Sequence, residues 1–373
     1  MSDKGRVVVT VAPRASFKIR EHPLPSLEPG TALMRIELCG VCGTDVHYWR
    51  GDKPTIPIKF PGIMGHEIVG LVERQNKGYE TDALGQEVRP GDRVVPAPLV
   101  TCGVCYYCRI VKEPVKCLNG RAYGHLGDGA PFHTGGYGQY LYLNLPNTAL
   151  FKTALPPEIA VFLEPMSIAV AAIEKVRIVP GDTVVIQGTG PIGLLSLVVA
   201  QENGAQKTIV VGGRRTRLEL AKKLGADVVV NRNEFKSAAE RVEAVRAETP
   251  GGFGADVVVE TAGVPEAVPE GIDFLRFGGR FCEAGHFADA GPVAINPSTQ
   301  MCAKCITLVG AWSSTPDTFA RALRVLESRK YPIGEMVTHK LPLERTEDAF
   351  RALASNYILD GREIIKAAVA PWG

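Results

Sequence analysis

Four cysteines in one short segment have the spacing of a closed zinc site. They are arranged as Cys-x2-Cys-x2-Cys-x8-Cys, at positions Cys102, Cys105, Cys108 and Cys117. Four thiolates complete a tetrahedral zinc and leave no position for a substrate, so this ion should stabilise the loop that carries it. A disulfide is the alternative. However, six of the nine cysteines lie in two tight groups, which is more typical of metal sites in a reducing compartment.

A second set of possible metal ligands is dispersed along the chain. Its members are Cys42, the pair His66-Glu67, and Glu164. A thiolate, an imidazole and a carboxylate suit a catalytic zinc, which keeps one position for water or substrate. Taken alone, a histidine before a glutamate is more often an ordinary surface or core residue, and spacing cannot bring positions 42, 66 and 164 together. The residue pattern by itself therefore leaves this second site open.

A glycine-rich segment, residues 188–193, has the pattern of a dinucleotide-binding loop. It follows the apolar run TVVIQ and precedes a helical pattern. In this context the glycines permit a tight turn and the close approach of a pyrophosphate, whose charge the helix N-terminus stabilises. The alternative is a glycine-rich turn that binds nothing. We predict cofactor contacts from Gly188, Gly190, Pro191, Ile192 and Gly193.

The segment about 20 residues beyond this loop indicates which nicotinamide cofactor binds. An NAD site usually presents Asp or Glu there to the ribose hydroxyls. Here the residues are Gly212, Gly213, Arg214 and Arg215, with no carboxylate. Arginines can hold a 2′-phosphate, so the sequence favours NADP over NAD. A solvated loop that accepts both cofactors is the alternative.

The apolar pattern around these motifs changes along the chain. Short β-rich runs such as VVVTV, ALMRIEL and HEIVGLVE, separated by Gly and Pro, extend to about residue 155. Strands then alternate with helices from TVVIQG to CITLVGAW, which is the pattern of a parallel doubly wound sheet. We expect a first domain at 1–159 and 311–373, and a dinucleotide-binding domain at 160–310.

The composition limits the classes of partner. A chain of 373 residues exceeds the size of one typical core, which supports two domains. A net charge of +2 gives no reason to expect nucleic acid or an anionic membrane, and no apolar run is long enough to cross a bilayer. We expect a cytoplasmic protein with small, neutral substrates. Three further cysteines, Cys282, Cys302 and Cys305, are expected to be buried apolar residues.

A family resemblance lies in five segments, which are, in order along the chain, CGVCGTDVHYW, GHE, the four spaced cysteines, LEP and GTGPIG. These segments resemble those of zinc-containing medium-chain dehydrogenases/reductases. The resemblance covers nearly the whole chain and is closest to the sorbitol, polyol and threonine dehydrogenases. It implies an α/β plus β fold, a Rossmann doubly wound parallel sheet inserted in a GroES-like β-rich catalytic domain. It also implies hydride transfer between a secondary alcohol or polyol and a nicotinamide cofactor.

The resemblance assigns the metal ligands. Cys42 and His66 would bind a catalytic zinc, and Glu67 and Glu164 would share the carboxylate position. With the four-cysteine site this makes two zinc ions per subunit. The fourth structural cysteine, Cys117, lies one residue later than the family's usual spacing, which places the loop shape in question more than metal binding.

The resemblance also assigns the residues that move the proton. Thr44 would lie next to the reacting hydroxyl, His47 would pass the proton to solvent, and Asp45 would orient His66, since ligating imidazoles usually have a carboxylate partner. The segment 123–137, with its two histidines, does not match the family, so the substrate pocket is left open.

Other functions remain compatible with the sequence alone. The same fold serves zinc-free quinone or enone reductases, and a chain that keeps the fold without chemistry would be a cofactor-binding structural or regulatory protein. Tyr48, Trp49 and Phe60 are candidates for the pocket, although packing is the commoner role for such aromatics. The family implies a homotetramer or homodimer, and the apolar run CITLVGAW would supply an open strand edge for it.

Overall fold

The computed structural model describes residues 3–52, 58–127, 129 and 132–373. The chain forms two compact units. The first contains Met1–Glu164, Ser314–Glu327 and Gly334–Gly373, and the second contains Pro165–Ser313 and Ser328–Ile333. Separate stretches of the sequence therefore build the first unit. Among the described residues, no helix is both long enough and apolar enough to span a membrane.

The first unit begins with short strands separated by Gly and Pro turns, as the sequence predicted. The strands are β1 (Lys4–Val9), β2 (Lys18–Pro23), β3 (Ala32–Gly40), β4 (Glu67–Gln75), β5 (Arg93–Pro96), β6 (Leu99–Val100), β7 (Arg121–Ala122), β8 (Tyr140–Leu143) and β9 (Leu150–Lys152). Two short helices are α1 (Gly43–Arg50) and α2 (Pro157–Ala160). Strand β3 pairs with β4 from Ala32 to Gly40 and with β8 over its N-terminal part, Ala32 to Arg35.

The second unit alternates strands and helices, as a doubly wound sheet requires. In chain order these are α3 (Leu163–Val176), β10 (Thr183–Gln187), α4 (Pro191–Glu202), β11 (Lys207–Gly212), α5 (Arg215–Lys223), β12 (Val228–Asn231), α6 (Ala238–Ala247), β13 (Ala255–Glu260), α7 (Ala267–Phe274), β14 (Leu275–Glu283) and β15 (Thr307–Gly310). The sheet order is β12-β11-β10-β13-β14-β15, with every pair parallel. The predicted parallel α/β fold is confirmed.

The chain then completes the first unit. Its remaining elements are α8 (Pro316–Glu327), β16 (Val337–Leu341), α9 (Thr346–Leu353), β17 (Ile358–Leu359), β18 (Arg362–Glu363) and β19 (Lys366–Val369). Strand β19 pairs antiparallel with β3, and β16 pairs with β19. The resulting sheet order is β16-β19-β3-β4-β5-β9, so strands distant in sequence lie beside each other.

One expectation from the sequence differs from the structure. Cys282 is buried, but Cys302 and Cys305 are exposed, which contradicts their expected burial. Both exposed cysteines lie in the irregular segment before β15, the edge strand of the sheet.

Candidate functional site

Helix α1 places two of the predicted residues on one face. It begins directly after Cys42, whose backbone N–H donates to Asp45 Oδ2 over 3.2 Å and so closes the first turn. Asp45 is fully buried, whereas Thr44 and His47, three positions apart on the helix, are partly exposed. His47 Nδ1 lies 2.7 Å from Asp52 Oδ2, which holds the imidazole at the protein surface.

The structure brings Cys42, His66 and Glu67 together. Each offers a ligand atom within 4.8 Å of the other two. Strand β4 begins at Glu67, opposite Gly40 at the end of β3, and a Cβ on Gly40 would lie only 2.0 Å from Glu67 Oε2. Glycine at position 40 is therefore required for this carboxylate to occupy its place. A thiolate, an imidazole and a carboxylate at these separations fit a four-coordinate zinc with one open position.

Glu164 lies near this group but is not a member of it. Burial raises the pKa of Glu164 to about 7, and the neighbouring Glu67 acts in the same direction, whereas His66 and Lys366 oppose it. A carboxyl group in this state exchanges its proton near neutral pH. The sequence did not decide between Glu67 and Glu164, and the structure places Glu67 with the other two candidate ligands.

Lys366 is a member of this site that sequence reasoning missed. Its ammonium donates to both carboxylate oxygens of Glu67 over 2.7 Å, and the side chain is almost fully buried. Burial alone would lower the pKa of Lys366, but Glu67 and Cys42 outweigh it and raise the pKa. A lone lysine in the apolar run IIKAAVA was the available signal, because a buried cation requires an anionic partner.

Asp45 and Tyr137 fix the orientation of His66. Asp45 Oδ1 lies 3.4 Å from His66 Nδ1, and the Tyr137 hydroxyl donates to Asp45 Oδ2 over 2.6 Å. Burial would raise the pKa of Asp45, but His66 and Tyr137 lower it, so the carboxylate stays ionised. With Nδ1 turned to Asp45, the other ring nitrogen of His66 is left for the ligand group.

The segment 123–137, which the sequence left without a role, adds His125 to this region. A ring nitrogen of His125 lies within 4.8 Å of ligand atoms of Asp45 and His66. Burial lowers the pKa of His125 to about 4, so the ring is neutral. Tyr48 packs edge-on against it, and Tyr48 and Trp49 are buried, which assigns these two aromatics to packing.

The four spaced cysteines converge as predicted. Three sulfur-to-sulfur distances are 3.5 Å between Cys105 and Cys108, 3.9 Å between Cys105 and Cys117, and 3.4 Å between Cys102 and Cys117. Thiolates at about 2.3 Å from a tetrahedral zinc are about 3.8 Å apart. The backbone N–H of Val104 lowers the pKa of Cys102 to about 6, and all four thiols are free. The geometry and chemistry of this cluster fit zinc.

The glycine-rich loop has the predicted strand–loop–helix setting, between β10 and α4. Gly188 has φ 113°, which favours glycine, and a Cβ at Gly193 would lie 2.1 Å from the Gly188 carbonyl oxygen. A Cβ at Gly190, directly before the first helical residue Pro191, would meet no other atom within 4 Å. The loop is therefore closely packed on one side and open at the helix N-terminus, which suits a pyrophosphate.

Strand β11 ends at Gly212, and arginines surround that end. Arg214 directly precedes α5, and the exposed Arg215 pairs with Glu219 over 2.8 Å. A third arginine, Arg232, follows β12 and lies against Gly213, where a Cβ would be 3.2 Å from its side-chain carbons. Sequence reasoning missed Arg232, since only the pairing of β11 with β12 brings it here.

Comparison with known families identifies both parts of the chain. Residues 28–156 match the family model described as alcohol dehydrogenase GroES-like domain. Residues 191–328 match that described as zinc-binding dehydrogenase. D-arabinitol dehydrogenase 1 of Uromyces fabae is 31% identical over 355 residues, covering 95% of this chain and 94% of that protein.

Solved structures agree over nearly the full length. An alcohol dehydrogenase from Thermotoga maritima is 33% identical, with a TM-score of 0.90 and 99% of each chain covered. A putative zinc-binding dehydrogenase from Sinorhizobium meliloti, bound to NADP, is 26% identical, with a TM-score of 0.85, covering 99% of this chain and all of the other. Both similarities extend over the two units of this chain.

Proposed function

Because the chain belongs to the zinc-binding medium-chain dehydrogenases, in the branch with polyol and threonine dehydrogenases, we propose that it exchanges hydride between a polyol-like secondary alcohol and NADP. The family and its relatives support nicotinamide-dependent oxidoreduction of a secondary alcohol. The close grouping of Cys42, His66 and Glu67 carries the proposal. We assign 1–159 and 311–373 to the catalytic domain and 160–310 to the Rossmann domain.

The catalytic zinc would be held by Cys42, His66 and one of the two carboxylates, Glu67 or Glu164. When bound, zinc supplies Lewis-acid polarisation of the alcohol oxygen, and the nicotinamide ring accepts the hydride. The protein aligns these groups. Asp45 fixes the tautomer of His66, and Lys366 balances the charge of Glu67, which reduces the repulsion between the two carboxylates and the thiolate.

Thr44 and His47 would conduct the proton away from the alcohol. They lie one turn apart on the exposed side of α1, and His47 contacts Asp52 near the surface. The Thr44 hydroxyl can accept the proton and pass on its own, because a hydroxyl both donates and accepts. His47 can then deliver the proton to solvent, because an imidazole can accept a proton at one ring nitrogen and release one from the other.

The four-cysteine zinc would stabilise the chain, so removing one thiolate should lower stability more than activity. Cys105→Ala should bind one zinc ion fewer and unfold at least about 5 °C lower, the equivalent of about 2 kcal/mol in a domain of this size. Metal analysis and thermal unfolding measure both effects. The exposed Cys302→Ala is the matched control and should change neither. Unchanged zinc content in Cys105→Ala would refute the assignment.

The absence of an acid at positions 212–215 supports NADP, as do the arginines around them. A relative with the same fold is described as bound to NADP, which agrees with this choice. Gly188, Gly190, Pro191, Ile192 and Gly193 would contact the pyrophosphate.

Turnover assays that combine a chelator with a substrate panel test the proposed function. The panel contains polyols, secondary alcohols and hydroxy amino acids, each with NAD and NADP. We expect chelator-sensitive oxidation of a polyol or secondary alcohol. Chelator-resistant reduction of enones would indicate the zinc-free reductase, and no turnover at all would indicate a cofactor-binding protein without chemistry.

Edge strand β15 predicts self-association. It lies at one end of the six-stranded sheet, and Leu308 is exposed on it. An apolar edge can pair with its copy across a two-fold axis, giving a dimer that can associate further into a tetramer. Light scattering at micromolar concentration should detect a dimer or tetramer, and Leu308→Lys should weaken it. A wild-type monomer under these conditions would exclude edge pairing.

A further inference from the structure

Three side chains that converge at the candidate zinc ligands each carry a buried polar atom without a partner. The atoms are Asp45 Oδ1, His66 Nδ1 and His125 Nε2, and none of them has a hydrogen bond of good geometry to a described residue. The side chains that carry them offer ligand atoms within 4.8 Å of one another. A buried donor or acceptor without a partner is unfavourable, because it has given up its hydrogen bonds to water. The arrangement is therefore stable only if these atoms share hydrogen bonds.

Asp45 is the acceptor in this group. Its Oδ2 is already occupied by the Tyr137 hydroxyl at 2.6 Å and the Cys42 N–H at 3.2 Å. Its Oδ1 lies 3.4 Å from His66 Nδ1. Because each carboxylate oxygen has two lone pairs, Oδ1 can accept from His66 and from one further donor.

His125 can be that donor. Its ring centroid is 5.5 Å from that of His66 and 5.2 Å from that of Tyr48, with both contacts edge-on, so neighbouring rings limit its movement. The backbone N–H of His125 donates to the Ala122 carbonyl over 3.1 Å, which fixes the chain at this point. A neutral imidazole carries one N–H, and Nε2 is a ring nitrogen of His125 that is buried without a partner, so the N–H is best placed there.

We propose that His125 is a positioning residue for the zinc ligand His66. The Nε2–H of His125 donates to Asp45 Oδ1, directly or across one buried water, and keeps that oxygen aimed at His66 Nδ1. The inference rests on the proposed function, because it assigns His66 to the catalytic zinc. Its consequence is metal retention, since outer partners of metal-binding histidines change metal affinity or activity by about 10- to 100-fold.

Zinc retention in variants of the full-length protein tests this role. His125→Phe and His125→Met fill the space without a donor, and His125→Gln keeps an N–H at similar reach. Purified protein is exposed to a chelator, and the remaining zinc is measured over time together with the unfolding temperature. We expect the labile zinc to be lost at least about 10-fold faster in the two donor-free variants, with His125→Gln close to wild type.

A matched control is His133→Phe, since His133 is another buried histidine of the same unit but packs against His22 and Tyr140. It should leave zinc loss unchanged. The proposal is overturned if either donor-free variant folds and retains zinc like the wild type, or if His125→Gln loses zinc as fast as they do. Failure of the proposed function would differ, because the wild type would then show no zinc-dependent turnover.

Discussion

Replacing Cys42 with alanine should abolish alcohol oxidation and release one zinc ion per chain while leaving the chain folded. Cys42 is the thiolate of the group that also contains His66 and Glu67. Lewis-acid stabilisation by a metal contributes several kcal/mol to the transition state, so kcat/KM should fall by at least about 10³-fold. Steady-state kinetics, metal analysis and circular dichroism measure the three effects.

Two further variants distinguish the effect of losing the metal from the effect of losing side-chain packing. Cys42→Ser keeps nearly the same volume but removes the thiolate, and it should behave like Cys42→Ala. Cys39→Ala removes a thiol that is fully buried in β3 and belongs to no metal group of the described residues, so it should keep its zinc and its activity. Full activity in Cys42→Ala would show that the zinc assignment is wrong.

The second large effect should be in cofactor choice, where wild-type kcat/KM should favour NADP at least about tenfold. A charge-assisted hydrogen bond from an arginine to the 2′-phosphate contributes about 1.5 to 3 kcal/mol, equivalent to roughly ten- to hundredfold. The double variant Gly213→Asp with Arg214→Ala should reverse the preference, because it removes one cation and adds an acceptor for ribose hydroxyls. Kinetics with both cofactors on both proteins measure the change.

The structure shows why the new aspartate is placed at position 213 and not at position 212. At Gly212 a Cβ would lie 2.3 Å from Thr189 Cγ2, whereas at Gly213 it would meet only flexible side chains at 3.2 Å or more. Gly212→Asp should therefore impair the binding of both cofactors. Arg232→Ala alone should weaken the binding of NADP and leave the binding of NAD unchanged. Equal kcat/KM for NAD and NADP in the wild type would mean that the arginines point to solvent.

The sequence predicted those parts of the site that lie close together along the chain. The glycine loop needs only one strand, one turn and one helix, and the four cysteines lie within 16 positions. For such motifs, residue types and spacing nearly determine the geometry. The predicted strands and helices likewise agree with the structure, because strong apolar patterns specify them.

The rest of the site depends on tertiary pairing that no local pattern encodes. Lys366 reaches Glu67 only because β19 lies beside β3, and Arg232 reaches Gly213 only because β12 pairs with β11. His125 lies in a segment with little regular structure, where the spacing of residues does not predict which way a side chain points. The residue type of each one suggests a chemical role, but the sequence does not show which residue it will contact.

The pairing of β19 with β3 also sets an order of assembly during synthesis. Lys366 and Glu67 are 299 positions apart, whereas the four cysteines close a short loop and the second unit is nearly continuous in sequence. Domains fold as they emerge from the ribosome, and short loops close at low entropic cost. The four-cysteine loop can therefore take up its metal early. The Glu67 carboxylate gains its counter-ion only after Lys366 has been synthesised, so a metal held by Cys42, His66 and Glu67 would be loaded after the four-cysteine metal.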